Sequence, residues 1–389
     1  MRGWGGWGRL CKVFNMSNLD TSKIEVQIKK TGFVLEHTLV SLLKKSNWHV
    51  INNKYYVDDY EENIREIDVL AYKISKIQNI SIYTTLLISC KKSESNDWAL
   101  LSRDIDLKAP NNDWWPLHAW SNDKAINYKL NLKGGAKGYH EDLIERGLKH
   151  VLDLPKVEVF AFQEMDKKTC SPQNDKSIFG SITSLMKAQA YEVNSLPSRK
   201  KDAAIYQFNL LTVVDTELVR IHFEENEKIK AHVTDSEHYI ARYIIHKEDT
   251  FARIRFIKSN KFQSYLADYD KLHKENCDWF IEANNDFYLD ALKTSDKINL
   301  FLEDFRKKLV WHYRILGDKN KSDDFSDLNI EWLKDTNKAA VVSDSMSEEV
   351  IEKFAKYPYI EKLTGNALKS IYRYEGDFVF AMPEDSLPF

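Results

Sequence analysis

Four side chains carry the chemistry that can be read from this chain: Glu36, Asp68, Ser89 and Lys91. Asp68 lies in Arg65-Glu66-Ile67-Asp68-Val69-Leu70-Ala71, and Lys91 lies in Leu86-Leu87-Ile88-Ser89-Cys90-Lys91-Lys92. Each segment reads as a short apolar strand with polar residues at one end. Side chains i and i+2 of a strand share a face, so Glu66 and Asp68 are expected together, as are Ser89 and Lys91. If the two strands pair, a carboxylate meets an amine. A metal-dependent phosphodiesterase needs that combination: an acid to hold Mg²⁺ (or Mn²⁺), and a lysine to position or deprotonate water and offset phosphate charge.

The elements that must position these groups follow in order. Gly32 to Lys45 has a helical pattern, with Phe33, Leu39, Val40 and Leu43 forming one apolar stripe and Glu36 falling inside it. A carboxylate aimed inward wants a metal or a basic partner, because a buried unpaired charge is costly. Strands are expected at 48 to 57, 65 to 73 and 82 to 91.

A helix bearing Glu, then an acid in one strand and an acid-x-lysine segment in the next, resembles the PD-(D/E)XK nuclease superfamily. Asp68 matches the first acid, Lys91 the lysine and Glu36 the helix acid. Ser89 departs from the pattern, standing where the superfamily has Glu or Asp. A hydroxyl is a far weaker Mg²⁺ ligand than a carboxylate, so metal binding is expected to be weakened. The resemblance covers residues 30 to 95, and more loosely extends to about residue 220. It implies an α/β, restriction-endonuclease-like fold: a mixed central sheet flanked by helices, with a mostly helical C-terminal extension. It also implies metal held by Asp68, Glu36 and the carbonyl of Cys90, water oriented by Lys91, and Ser89 acting through a bound water. The activity implied is endonucleolytic hydrolysis of DNA phosphodiesters, in defence against foreign DNA. The alternative is a cleavage-impaired relative that serves as a nucleic-acid-binding or scaffold subunit. Cys90 alternates away from Ser89 and Lys91, so its thiol is expected buried on the opposite face.

Composition sets outer bounds. The chain has 389 residues, enough for two domains or for one with large additions. It is 43% hydrophobic, without an apolar run near the roughly eighteen residues a membrane span needs, so no membrane association is expected. Four cysteines, far apart and without CxxC spacing, fit a reducing cytoplasm better than a zinc or disulfide framework. The formal net charge of -3 neither suggests nor excludes a nucleic-acid partner, because local basic patches govern phosphate contact. No Walker loop, GxSxG, HExxH or EF-hand spacing occurs, and the eleven histidines are scattered.

Residues 1–15, rich in Gly and Trp, are expected to form a flexible extension before a nuclease domain spanning 16–260. Residues 104–138 read as an irregular insertion, in which Lys133 and Lys137 are candidate phosphate contacts and the tryptophans a satellite apolar cluster. A helix is expected over 139 to 153, and Val157 to Gln163 reads as a strand covered on both faces. Lys187 and Gln189 lie on a helix expected over Ser177 to Glu192; they either touch nucleic acid beside the site or belong to a surface face. Ala203 to Asp215 and Leu218 to Glu224 read as two strands joined by a tight turn. Arg253, Arg255 and Lys258 alternate with apolar residues, as in an edge strand with a basic exposed side, which either holds a phosphate backbone or, more commonly, blocks edge-to-edge aggregation. Residues 261–389 read as a helical region, with a loop from Gly317 to Asp327. That region could support a homodimer, since duplex cleavage needs two sites, or a partner subunit could supply the second.

Overall fold

The computed structural model describes residues 20–58, 63–224, 228–316 and 324–383. The expected extension at 1–15, much of the expected loop at 317–327 and the last six residues lie outside the described residues.

Two helices, α1 (Thr21–Ile28) and α2 (Phe33–Lys45), lead into an antiparallel meander of β1 (His49–Val57), β2 (Ile64–Ile77) and β3 (Ile80–Lys92). Gln78 and Asn79 join β2 to β3 with φ of 47° and 69°, the two-residue turn whose twist matches that of paired strands. Next come β4 (Asn96–Arg103), β5 (His118–Ser121), α3 (Lys124–Asn131), α4 (Gly135–Leu143), α5 (Lys149–Leu152) and β6 (Glu158–Asp166). They are followed by α6 (Lys176–Arg199), β7 (Ala204–Asp215), β8 (Leu218–Phe223), β9 (Ile229–Thr234), β10 (Ser236–Ile245) and β11 (Glu248–Lys258).

Among the described residues these elements build a mixed α/β architecture. The main sheet has seven strands in the order β1-β2-β3-β7-β11-β10; β5 pairs with β7 beyond the end of β11. The β3–β7 and β7–β11 pairs are parallel and the others antiparallel. A second sheet runs β6-β4-β8-β9. Strand alternation divides the core between two faces of the main sheet. Ile88 and Leu211 pack with Leu39 and Leu43 of α2 and with Leu266 and Phe280 of a long helix, α7 (Phe262–Leu289). Leu87, Leu210 and Phe256 pack on the other face with Ile182 and Leu185 of α6.

Beyond α7 come α8 (Ser295–Leu316), β12 (Asn329–Leu333), β13 (Lys338–Val342), α9 (Glu348–Ala355), α10 (Pro358–Tyr372) and β14 (Phe378–Ala381). Besides the expected helices, this region contains a three-stranded sheet, β12-β13-β14, over its own core of Phe305, Tyr313, Phe354 and Val341. Helix α7 couples the two parts: Phe280 belongs to the main core and Phe287 to the C-terminal one.

Several local expectations are corrected. Residues 104–138 are partly regular, holding β5 and α3, and Trp114 is buried. The helix expected over 139 to 153 is interrupted at Gly147, whose φ of 87° only glycine adopts freely. Strand β6 is not covered on both faces, since Phe160 is 45% exposed. Strands β7 and β8 do not form a hairpin; β8 pairs with β4 and β9 in the second sheet. Strand β11 is not an edge, because it lies between β7 and β10. Arg255 is buried there, with Ser236 Oγ accepting from its Nε at 2.9 Å.

Candidate active site at the end of strands β2 and β3

The β2–β3 register pairs Val69 with Ile88, which puts Asp68 and Ser89 one step further along, at the sheet end where both strands reach polar sequence. One carboxylate oxygen, Asp68 Oδ2, gathers the whole Ser-Cys-Lys segment. It accepts from the Cys90 backbone N–H at 2.7 Å and from Ser89 Oγ at 3.3 Å, and Lys91 Nζ lies 4.0 Å away. The lysine and the aspartate side chains stay 30% and 25% exposed, so the pair is open to a ligand.

Strand β2 is irregular at this point. Ile67 packs in the core on the α6 face and Val69 in the core on the α2 face, although residues two apart normally share a face. The β1–β2 pairing passes over Asn53 and Asp68, and Asn53 has φ of 52°. This irregularity turns Asp68 out of strict alternation, as bulges near functional sites do. Glu66 and Asp68 still reach one small cavity, whose other walls include Ser89 and, from α6, Ser184, Leu185 and Ala188. Glu66 also accepts from Asn53 Nδ2.

Helix α2 buries Leu35, Leu39, Val40 and Leu43. Phe33, expected in this stripe, is 63% exposed, and Leu35 takes its place. Glu36 sits beside that stripe, partly buried, and its carboxyl is raised above its ordinary pKa. Burial is the main cause; the negative charges of Asp68 and Glu66 add to it, and the Lys91 ammonium opposes it. Glu36, Glu66, Asp68 and Lys91 therefore form one electrostatic cluster. Cys90 is buried as expected, and burial pushes its thiol well above the ordinary value.

The remaining candidates are placed differently. Lys187 is almost buried on α6, with Asp58 Oδ2 at 2.7 Å; Asp58 also binds Arg65 Nε at 2.6 Å. Lys187 is thus part of an ion cluster beneath the surface. Gln189 is buried, at 6% exposed, and does not line the cavity at Asp68. Lys133 and Lys137 lie toward the opposite end of the sheet. Tyr139, close to Lys137 in sequence, donates to Asn276, which donates to Thr84 on β3, about 17 Å along the strand from Ser89. Lys137 instead pairs with Glu141 at 3.6 Å.

Sequence reasoning missed Asp58 and a cleft of about 800 Å³ beside it, walled by Tyr191, Tyr243, Ile245, Lys187 and Arg242. The β10–β11 hairpin brings residues distant in sequence against α6, so no local spacing announces the cleft. The chemistry that Asp68, Glu36 and Lys91 can do together is to hold a hard cation loosely and present an ammonium to an anion. Among the described residues, no group of three or more His, Cys, Asp or Glu side chains is arranged to hold a metal ion. No helix of the described residues is long and apolar enough to cross a membrane. Compared with known proteins, the chain matches no family model, no curated protein and no solved structure.

Proposed function

We propose that this chain is a metal-dependent endonuclease of the PD-(D/E)XK, restriction-endonuclease-like kind, hydrolysing DNA phosphodiesters, with defence against foreign DNA as its setting. One observation carries the reading: Asp68 and Lys91, on neighbouring strands, face each other at 4.0 Å beside a half-buried glutamate whose charge they both affect.

The donor set fits Mg²⁺ or Mn²⁺ held by few protein oxygens and several waters, the manner in which Mg²⁺ usually binds. Asp68 and Glu36 would hold it, with the Cys90 carbonyl as a further ligand. Burial is the main reason Glu36 is raised, and the negative charges of Asp68 and Glu66 add to it; a cation bound there would offset that added repulsion. Bound there, the ion would polarise the phosphate and lower the pKa of water. The chain's own residues do the rest. Lys91 orients a water and stabilises charge building on the phosphate. Asp68, 4.0 Å away, holds Lys91 in place. Ser89 and Cys90 N–H hold the Asp68 carboxylate through the bonds they donate. The cleft beside Asp58 supplies aromatic surface from Tyr191 and Tyr243 of the kind nucleic acid uses, while its cations Lys187 and Arg242 are paired with Asp58 and Asp249.

A second reading rests on Ser89. Its hydroxyl spends itself on Asp68 and brings no negative charge, which favours a cleavage-impaired subunit that binds nucleic acid. The deciding experiment incubates plasmid DNA with Mg²⁺ or Mn²⁺ and wild type, Asp68→Ala or Lys91→Ala. Nicking by wild type only, with losses on the order of 10²–10³-fold in the variants, supports the nuclease. A wild type that shifts DNA in gels and cuts with neither ion supports the binding subunit. Sedimentation of the active species decides whether a homodimer or another subunit completes duplex cleavage.

A further inference from the structure

On the α6 face of the main sheet, past the end of that helix, lies a second groove of about 430 Å³, away from Asp68. Its floor and walls are a row of rings that crosses four strands. His49 stacks on Tyr72 at 5.1 Å, Tyr72 and Tyr83 are 5.8 Å apart, and Tyr83 stacks on Tyr206 at 4.0 Å. The row is least closely stacked between Tyr72 and Tyr83, where the planes are inclined by 51°. Directly across from Tyr72 in the β2–β3 register is Thr85, which also lines the groove. Thr85 is 2% exposed, and its hydroxyl has no hydrogen-bond partner. A buried hydroxyl without a partner is costly, and here it marks a place where a ligand would satisfy it.

The rim is cationic. Lys54 and Arg199 share a single carboxylate, Glu192. Lys200 has no carboxylate partner among the described residues; its Nζ sits 4.7 Å over the Tyr83 ring and donates to the Tyr83 hydroxyl at 3.1 Å. Three cations against one carboxylate leave the rim two charges positive. Planar rings, one orphan hydroxyl at the floor and surplus ammonium and guanidinium groups at the rim match a base and its phosphate.

We propose that this groove binds one nucleoside phosphate unit, as a residue of a single strand or as a free nucleotide. The base lies against Tyr72 with its edge at Thr85, and the phosphate meets Lys200 and Arg199. The site is separate from the cluster at Asp68, roughly 13–20 Å along β3, and does not depend on whether that cluster cuts DNA.

The test uses the full chain and two probes: a fluorescein-labelled single-stranded 10-mer of mixed sequence, followed by anisotropy, and the four nucleoside monophosphates, followed by calorimetry. Binding of the 10-mer alone identifies a strand; binding of a monophosphate as well identifies a nucleotide site. In either case Lys200→Glu weakens binding by roughly tenfold or more and flattens its salt dependence. Thr85→Val, which keeps the shape and removes the hydroxyl, weakens it by roughly threefold to tenfold with no fall in melting temperature, since the unpartnered hydroxyl costs the free protein stability. The proposal is overturned if neither probe binds, or if both variants bind like wild type. It is also overturned if Lys200→Glu and Thr85→Val alter only the sedimentation of the protein, which would mean that a second copy covers the groove. Asp68→Ala separates this site from the nuclease reading. Binding that responds to Lys200→Glu but persists in Asp68→Ala stands even if wild type cuts nothing.

Discussion

Lys91 and Arg255 are cations of the same sheet with opposite fates. Lys91 lies near the end of β3, is 30% exposed, and has Asp68 at 4.0 Å, the outer limit of an ion pair. Arg255 lies inside β11 and is 4% exposed; its Nε donates to Ser236, Asp268 is 3.4 Å from its Nη1, and its guanidinium stacks 4.2 Å over Tyr265. Its neighbour Arg253 donates to the backbone carbonyls of Val151 and Asp153. Arg255 has its bonding capacity taken up by the protein, whereas Lys91 keeps part of its own for something else. The difference is one of cover. Helix α7 and the segment before β6 close over β11, while the ends of β2 and β3 run past their helices into solvent-facing polar sequence.

The sharpest way to break this contrast is to truncate both cations and measure urea unfolding. Arg255→Ala leaves Asp268 and a packed aromatic pair without their partner and is expected to cost about 2–4 kcal/mol. Lys91→Ala is expected within about 0.5 kcal/mol of wild type, its loss showing in cleavage instead. Equal destabilisation by the two would make Lys91 a structural residue and sink the contrast.

A smaller effect is expected at Ser89. Ser89→Ala deletes a long hydrogen bond to Asp68 and should cost about 0.5–1 kcal/mol, with the Mg²⁺ concentration for half-maximal cleavage unchanged. A marked rise in that concentration would show that Ser89 serves the metal.

The smallest effect is expected at Glu36. Its folded-state carboxyl keeps its proton to higher pH than the unfolded chain does. Stability is therefore greatest below the ordinary carboxylate pKa, falls as pH rises through the raised value, and stays lower above it. Glu36→Gln should flatten that slope and raise Tm near pH 7.5 by about 1 °C without divalent ions, solvent screening limiting the gain. Added Mg²⁺ should reverse the order by stabilising wild type. Parallel Tm curves for the two proteins between pH 4 and 8 would remove Glu36 from the cluster.

The candidate site was largely legible because its parts are local. Apolar runs with a polar end define β2 and β3, so an acid and a lysine meet if the strands pair. The two-residue turn at Gln78-Asn79 that sets the register lies between the expected strands at 65 to 73 and 82 to 91 and is seen only in the structure. The irregularity at Asn53 was not legible, since positive φ in an asparagine is decided by the pairing around it. The basic residues of β11 were misread for a related reason. Alternation identifies two faces of a strand but does not tell which is covered, and α7 and the segment before β6, far apart in sequence, cover this one. Lys187 and Gln189 lay on the expected helix, yet burial against β1 and β10 gave them Asp58 and the core in place of solvent.

Sequence by itself determined strands β2 and β3, the helix bearing Glu36 and which acid and lysine meet if those strands pair, because hydrophobic periodicity acts over a few residues. Tertiary structure alone decided that Asp68 Oδ2 collects Ser89, Cys90 and Lys91, and that Arg255 is sealed under α7. It alone also decided that Tyr72, Tyr83 and Tyr206 align into one row. Those outcomes depend on which distant segments cover which face of the sheet, and burial is a property of the assembled layers that no single stretch of chain carries.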